Sequence, residues 1–173
     1  MKPIINRRDA KQIVSKHGDD FEATMEELAF AVGAQDIGAN ITTVQPGKAA
    51  FPLHHHYANE EHFYVLSGYG QVRIGADVWP IEPGDYIFSQ PGGPEHAHQM
   101  VNTGDEPLVY LAISTKKVPE VVGYPDSGKT GVRVSYDMDN PDSRFLISDD
   151  AKNSVTYWDD EDGAQVRATL KGD

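Results

Sequence analysis

Six of the chain's seven histidines, His54, His55, His56, His62, His96 and His98, crowd into the stretch from His54 to His98. Alternate side chains of a β-strand share a face, so in the run His54-His55-His56 the outer two imidazoles point one way and the middle one the other. A strand with such a pair aims two imidazoles at one point. Glu61 opens the next apolar run, and His96 or His98 opens a later one. If those strands are neighbours, three imidazoles and one carboxylate converge. Such a set of nitrogen and oxygen donors suits one divalent transition metal: Mn, Fe, Co, Ni, Cu or Zn. It fills four positions of an octahedral ion and leaves two for water or substrate, which is what a catalytic metal needs. A histidine run is equally compatible with a polar loop, so the elements that carry it decide its meaning.

Those elements read as β-strands. From Gly38 to Ser114 the chain consists of short β-branched and aromatic runs, expected as strands over residues 39–44, 50–56, 61–66, 70–74, 77–81, 85–89, 97–102 and 108–114. Turns punctuate them at Pro46-Gly47, Ser67-Gly68, Gly75-Ala76, Pro83-Gly84, Pro91-Gly92-Gly93-Pro94 and Thr103-Gly104-Asp105. With no helical period between them, this pattern predicts an all-β antiparallel sandwich or barrel over residues 38–115. Residues 1–37 read as an N-terminal arm with one helix over 21–32, where Phe21, Met25, Leu28 and Val32 fall at helical spacing behind Asp19 and Asp20. Residues 116–173 read as a C-terminal extension packed on the barrel. It has a passage over 118–131, a strand over 132–136, an acidic stretch over 137–162 with Phe145–Ile147 and Tyr157-Trp158, and a frayed end.

Composition narrows the partners. The 173 residues are 39% hydrophobic and 24% charged, an ordinary globular balance. Against 27 acidic residues stand 15 Lys and Arg, a formal charge of −12 that repels nucleic acid and anionic lipid, so neither nucleic acid nor membrane is an expected partner. No apolar run reaches the roughly 18–20 residues of a membrane span. Arg7, Arg8 and Asp9 stand where a signal peptide would be apolar. The absence of cysteine removes disulfides, thiolate metal sites and a cysteine nucleophile, and fits a cytoplasmic location.

The segment from Gly47 to Gly70 contains a glycine, His54-His55-His56, Glu61 and Gly68, and it resembles the first motif of the cupin superfamily. In that motif a glycine precedes His-x-His, and a glutamate and then a glycine follow at set spacers; counting back from Gly68 selects Glu61 over Glu60. The segment Gly84 to Asn102, with Pro91, Gly93, a histidine and Asn102, resembles the second motif, Gly-x5-Pro-x-Gly-x2-His-x3-Asn. Counting on from Gly93 reaches His96, whereas counting back from Asn102 reaches His98. An insertion at Pro94-Glu95 reconciles the two and favours His98, with His96 at the pocket mouth. The resemblance implies a double-stranded β-helix (jelly-roll) barrel with metal ligands His54, His56, Glu61 and His98, and usually a homodimer whose exposed sheet edge the arm could cover. It implies a small-molecule ligand and, as leading function, a metal-dependent enzyme on a small oxygen-rich metabolite. Isomerisation of a sugar or sugar phosphate, decarboxylation of an acid as in oxalate decarboxylase, and dioxygenase chemistry all suit such a site. A non-enzymatic cupin that binds or senses a metabolite is the alternative. Tyr124 to Lys129 resembles a tail of some single-domain bacterial cupins of undefined activity, several of them described as sugar-phosphate isomerases or as oxalate-decarboxylase-like, and no Arg or Lys among the motif residues would clamp a phosphate.

Gly123 to Thr130 also satisfies Gly-x4-Gly-Lys-[Ser/Thr], the pattern of a phosphate-binding loop. That loop works only between a buried strand and a helix N-terminus. Here Pro119 interrupts the run before it, and Gly-Val-Arg-Val-Ser-Tyr after it alternates like a strand, so the segment is expected to be a turn. No serine has the setting of an exposed nucleophile. Glu60 is expected in solvent, and His62, Tyr64 and His96 are candidate proton carriers.

Overall fold

The computed structural model describes residues 2–137 and 140–148. The strands are β1 (Lys11–His17), β2 (Phe21–Glu27), β3 (Ile37–Val44), β4 (His55–His56), β5 (Glu61–Ser67), β6 (Gly70–Ile74), β7 (Asp77–Ile81), β8 (Tyr86–Ser89), β9 (His98–Val101), β10 (Leu108–Thr115), β11 (Glu120–Tyr124), β12 (Lys129–Arg133) and β13 (Arg144–Ser148). They form a six-stranded sheet in the order β1-β2-β3-β10-β5-β8, a four-stranded sheet β13-β12-β11-β4, and a three-stranded sheet β7-β6-β9. The named pairings are all antiparallel, and the architecture is the all-β double-stranded β-helix expected from the sequence. Among the described residues no helix is long and apolar enough to cross a membrane.

Strand parity builds the core. In β5 Phe63 and Val65 are buried while Tyr64 and Leu66 are exposed, and β10 contributes Leu108 and Tyr110 to the same interior. Val44, Val72, Ile81 and Met100 complete the cluster. Each fully buried valine or leucine contributes about 2 kcal/mol of transfer free energy. Asn102 is also fully buried. Its amide donates to the carbonyls of Val44 and Glu106 at 2.8 and 2.9 Å, and its oxygen accepts from Gly104 N at 2.9 Å. The motif asparagine thus fastens the turn between β9 and β10. Gly68 has φ +81°, and a Cβ there would overlap the Pro107 carbonyl, so this turn requires glycine.

The helix expected over residues 21–32 is not formed. Gly18, at φ +56°, turns the chain so that β2 pairs with β1 from Lys11↔Glu27 to His17↔Phe21, and β2 then joins β3 through Ala23↔Val44. Phe21 and Met25 satisfy the helical and the strand period alike. Sheet pairing, which buries Ala23, decided between them, and only one 3-10 turn follows, Phe30–Val32. The passage expected over 118–131 contains β11. The expected strand over 132–136 lies instead at Lys129–Arg133, and Phe145–Ile147 falls within β13. Tyr157-Trp158, the frayed end and most of the acidic stretch lie outside the described residues.

Candidate metal centre

Backbone pairing assembles the cluster. His54 and His98 form an antiparallel bridge outside the long ladders, with His54 N donating to His98 O at 3.2 Å and His98 N to His54 O at 2.8 Å. Glu61, at the start of β5, pairs with Ser89, at the end of β8. The inward parity of Phe63 and Val65 also turns Glu61 inward. A single carboxylate oxygen, Glu61 Oε2, lies 2.8 Å from His98 Nε2, 3.5 Å from His56 Nε2 and 3.9 Å from His54 Nε2. His54, Glu61 and His98 each offer a donor atom within 4.8 Å of the other two. His55 points the other way, as parity requires: it is buried, its Nδ1 lies 2.8 Å from the Gly92 carbonyl, and its ring packs on Gly123.

The far side of each ring fixes its near side. His54 Nδ1 is 2.9 Å from the Pro52 carbonyl, which can only accept, so Nδ1 carries the proton and Nε2 presents a lone pair. His98 Nδ1 is 2.7 Å from Ser89 Oγ, which also reaches the His96 carbonyl at 3.4 Å, and this contact turns Nε2 toward Glu61. Outer hydrogen bonds of this kind orient imidazoles that ligate metals. Both ring nitrogens of His56 and Nε2 of His98 are buried without a hydrogen-bond partner. Unsatisfied buried nitrogens are costly, and three Nε2 atoms around a carboxylate are a donor set that fits a divalent transition metal.

The electrostatics agree with that fit. Burial, reinforced by His98 and His56, pushes the His54 pKa down to about 3, so this imidazole is neutral at ordinary pH. Burial pushes Glu61 up, but His56 and His98 outweigh it and hold the carboxyl well below its usual range. Burial opposes a charge on His56, and the Glu61 and Glu120 carboxylates more than offset it, raising its pKa.

The cluster opens into a cavity of about 450 Å³ whose wall includes Tyr124, Lys129, Arg133, Tyr136 and Arg144. On its inner side, next to Phe63 and Tyr110, lies a smaller cavity of about 190 Å³. The wall residues come from β11–β13 and the chain between, a region that motif spacing does not reach; the one sequence signal was the alternation Lys129, Gly131, Arg133. Glu120 is buried, with its carboxylate accepting from Tyr57 N at 3.0 Å, Ala58 N at 3.2 Å and the Asn59 amide. His96 sits in the 3-10 turn Pro94–His96, with Nε2 2.8 Å from Gln90 Nε2 and 3.5 Å from Glu95 Oε1, apart from the cluster. His62 lies against Tyr86 OH at 2.5 Å and near Glu60 at 3.7 Å, and Tyr64 is exposed on the same outward face of β5. The phosphate-loop pattern is a hairpin, with Gly123↔Thr130 and Tyr124↔Lys129 paired across it and no helix behind.

Comparison with known proteins follows the same lines. The family model for the cupin domain matches residues 40–114. A solved structure from Acidithiobacillus ferrooxidans, described as a candidate sugar phosphate isomerase, is 32% identical, with 78% of this chain and 81% of that one covered and a TM-score of 0.66. A cupin-superfamily sugar phosphate isomerase from Silicibacter pomeroyi, at 21% identity, shares the fold with a TM-score of 0.74 over 90% of this chain and 98% of its own. The glucose-6-phosphate isomerase of Thermococcus onnurineus is 34% identical over 90 residues, 45% of this chain and 46% of that protein. The chain thus spans about half the length of the curated relatives it matches. Motif glycines, barrel topology and a relative aligned well beyond the motifs agree, and the chain belongs to the cupin superfamily.

Proposed function

We propose that this cupin is a metal-dependent enzyme acting on a small oxygen-rich metabolite, that His54, His56, Glu61 and His98 hold one divalent transition metal ion, and that the reaction is isomerisation of a sugar or sugar phosphate. The observation that carries the reading is the convergence of three histidine Nε2 atoms on Glu61 Oε2, with the buried nitrogens of His56 and His98 lacking any other partner. When bound, a divalent ion there would polarise a carbonyl oxygen and ease removal of the neighbouring C–H proton. The chain's own contribution is positional. Pro52 and Ser89 hold the His54 and His98 rings with Nε2 inward, and Phe51 and Val122 give the cavity wall apolar surface. Two relatives described as sugar phosphate or glucose-6-phosphate isomerases support the choice of reaction.

The test is incubation of metal-loaded protein with aldose and ketose phosphates and their free sugars in deuterated water, followed by NMR for interconversion and deuterium uptake. Interconversion that disappears in His98→Ala protein supports the reading. Tight binding of a sugar with no turnover would favour a sensing role.

We also infer a homodimer working in the cytoplasm. Tyr64, Leu66, Tyr86 and Phe88 form an exposed apolar face on the paired strands β5 and β8, where a second copy would remove them from water. The absence of cysteine suits a reducing compartment.

A further inference from the structure

Arg133 and Arg144 are direct cross-strand partners in the β12–β13 pair. Like charges directly opposite each other across two strands are destabilising. Among the described residues no carboxylate lies within ion-pair distance of Arg133, Arg144 or Lys129. Glu120 is opposite Arg133 on the other neighbouring strand, but its carboxylate is already taken by the amides of Tyr57, Ala58 and Asn59. The Arg133 guanidinium lies over the face of Tyr136, 4.8 Å from the ring centroid, and among the described residues no carboxylate pairs with it. Lys129 shares the strand face of Arg133 about 13 Å along β12, with its ammonium 5.8 Å from the Tyr124 ring. All three cations line the cavity that holds the histidine–glutamate cluster, in a chain whose formal charge is −12.

We propose that Arg133 and Arg144 clamp the phosphate group of a phosphorylated substrate, with Lys129 drawing the anion toward them, so that the far end of the same molecule reaches the histidine–glutamate cluster. This rests on the reading of that cavity as the substrate site. Two adjacent guanidinium forks suit a tetrahedral dianion, which accepts bidentate hydrogen bonds from both and relieves their mutual repulsion. The subsite lies beyond residues 40–114, the part matched by the cupin family model. It also gives Lys129 a role that needs no phosphate-binding loop, because the lysine stands on a hairpin wall and not behind a helix N-terminus.

The test is calorimetric titration of the full chain with inorganic phosphate, and separately with malonate, after treatment with a chelator. With metal stripped, phosphate cannot be held by an ion, and the outcome is independent of whether His54, His56, Glu61 and His98 bind one. We expect one phosphate per chain, bound more tightly than malonate, and weakened about tenfold in each of Arg133→Gln and Arg144→Gln, the scale of one lost charge-assisted contact. Metal content on reloading should be unchanged in both variants. Arg144 is exposed, so Arg144→Gln is expected to fold even if Arg133→Gln does not, and a melting curve checks both. Absence of phosphate binding, malonate bound as tightly or more tightly, or unchanged phosphate affinity in Arg144→Gln would overturn the proposal.

Discussion

Ser89 stands behind His98: its Oγ lies 2.7 Å from His98 Nδ1, and the same serine pairs across the sheet with Glu61, the carboxylate that meets His98 Nε2 at 2.8 Å. One strand end therefore sets both the orientation of the imidazole and the place of its acidic neighbour. Removing the hydroxyl in Ser89→Ala leaves the ligands present but frees the ring. Metal affinity should fall by about 10- to 100-fold, the range for loss of an outer-shell partner. Competition against a chromogenic chelator measures it, and an affinity equal to wild type would contradict the role given to Ser89.

A second prediction concerns stability away from the cluster. Gly123 packs directly on the His55 imidazole, and a Cβ there would overlap the ring. His55 cannot easily withdraw, because its Nδ1 is held by the Gly92 carbonyl at 2.8 Å. Gly123→Ala should cost about 1–3 kcal/mol, as overpacking at a buried site does. Urea unfolding reads this directly, and an unchanged midpoint would show that the β4–β11 contact is looser than described.

The third prediction is the assembly. Light scattering should give about 38 kDa, twice the 19.0 kDa of one chain. Replacing Phe88 by Lys on the exposed face of β8 should shift the mass toward one chain while leaving the barrel folded, because Phe88 takes no part in the core cluster. A wild-type monomer, or a dimer indifferent to Phe88→Lys, would contradict the choice of face.

How far the sequence carried depended on whether the deciding contact was local. β6 and β7 coincide with the expected strands residue for residue, since the Gly75-Ala76 turn and the alternation around it suffice. The His54-His55-His56 parity likewise needs only neighbouring residues. Residues 21–32 failed because Phe21 and Met25 fit two periods, and only pairing with β1 and β3 could choose. β11 is not legible in the sequence because Pro119 precedes it and a glutamate occupies a fully buried position in it; that burial makes sense only once the amides of Tyr57, Ala58 and Asn59 are near. The β11–β12 hairpin is local, but what brings Arg133 and its cross-strand partner Arg144 to the cavity is the long-range pairing of β11 with β4, which no spacing rule records.

On the proposed reading four side chains, and not a fifth, form one metal site. The most direct measurement is metal per chain by mass spectrometry in wild type, His98→Ala and His96→Ala protein, each stripped with chelator, reloaded and desalted. We expect about one ion in wild type and in His96→Ala, and strong loss in His98→Ala, since removing one of four ligands empties the site under desalting. Wild-type protein without an ion, or equal occupancy in His98→Ala and His96→Ala, would contradict it.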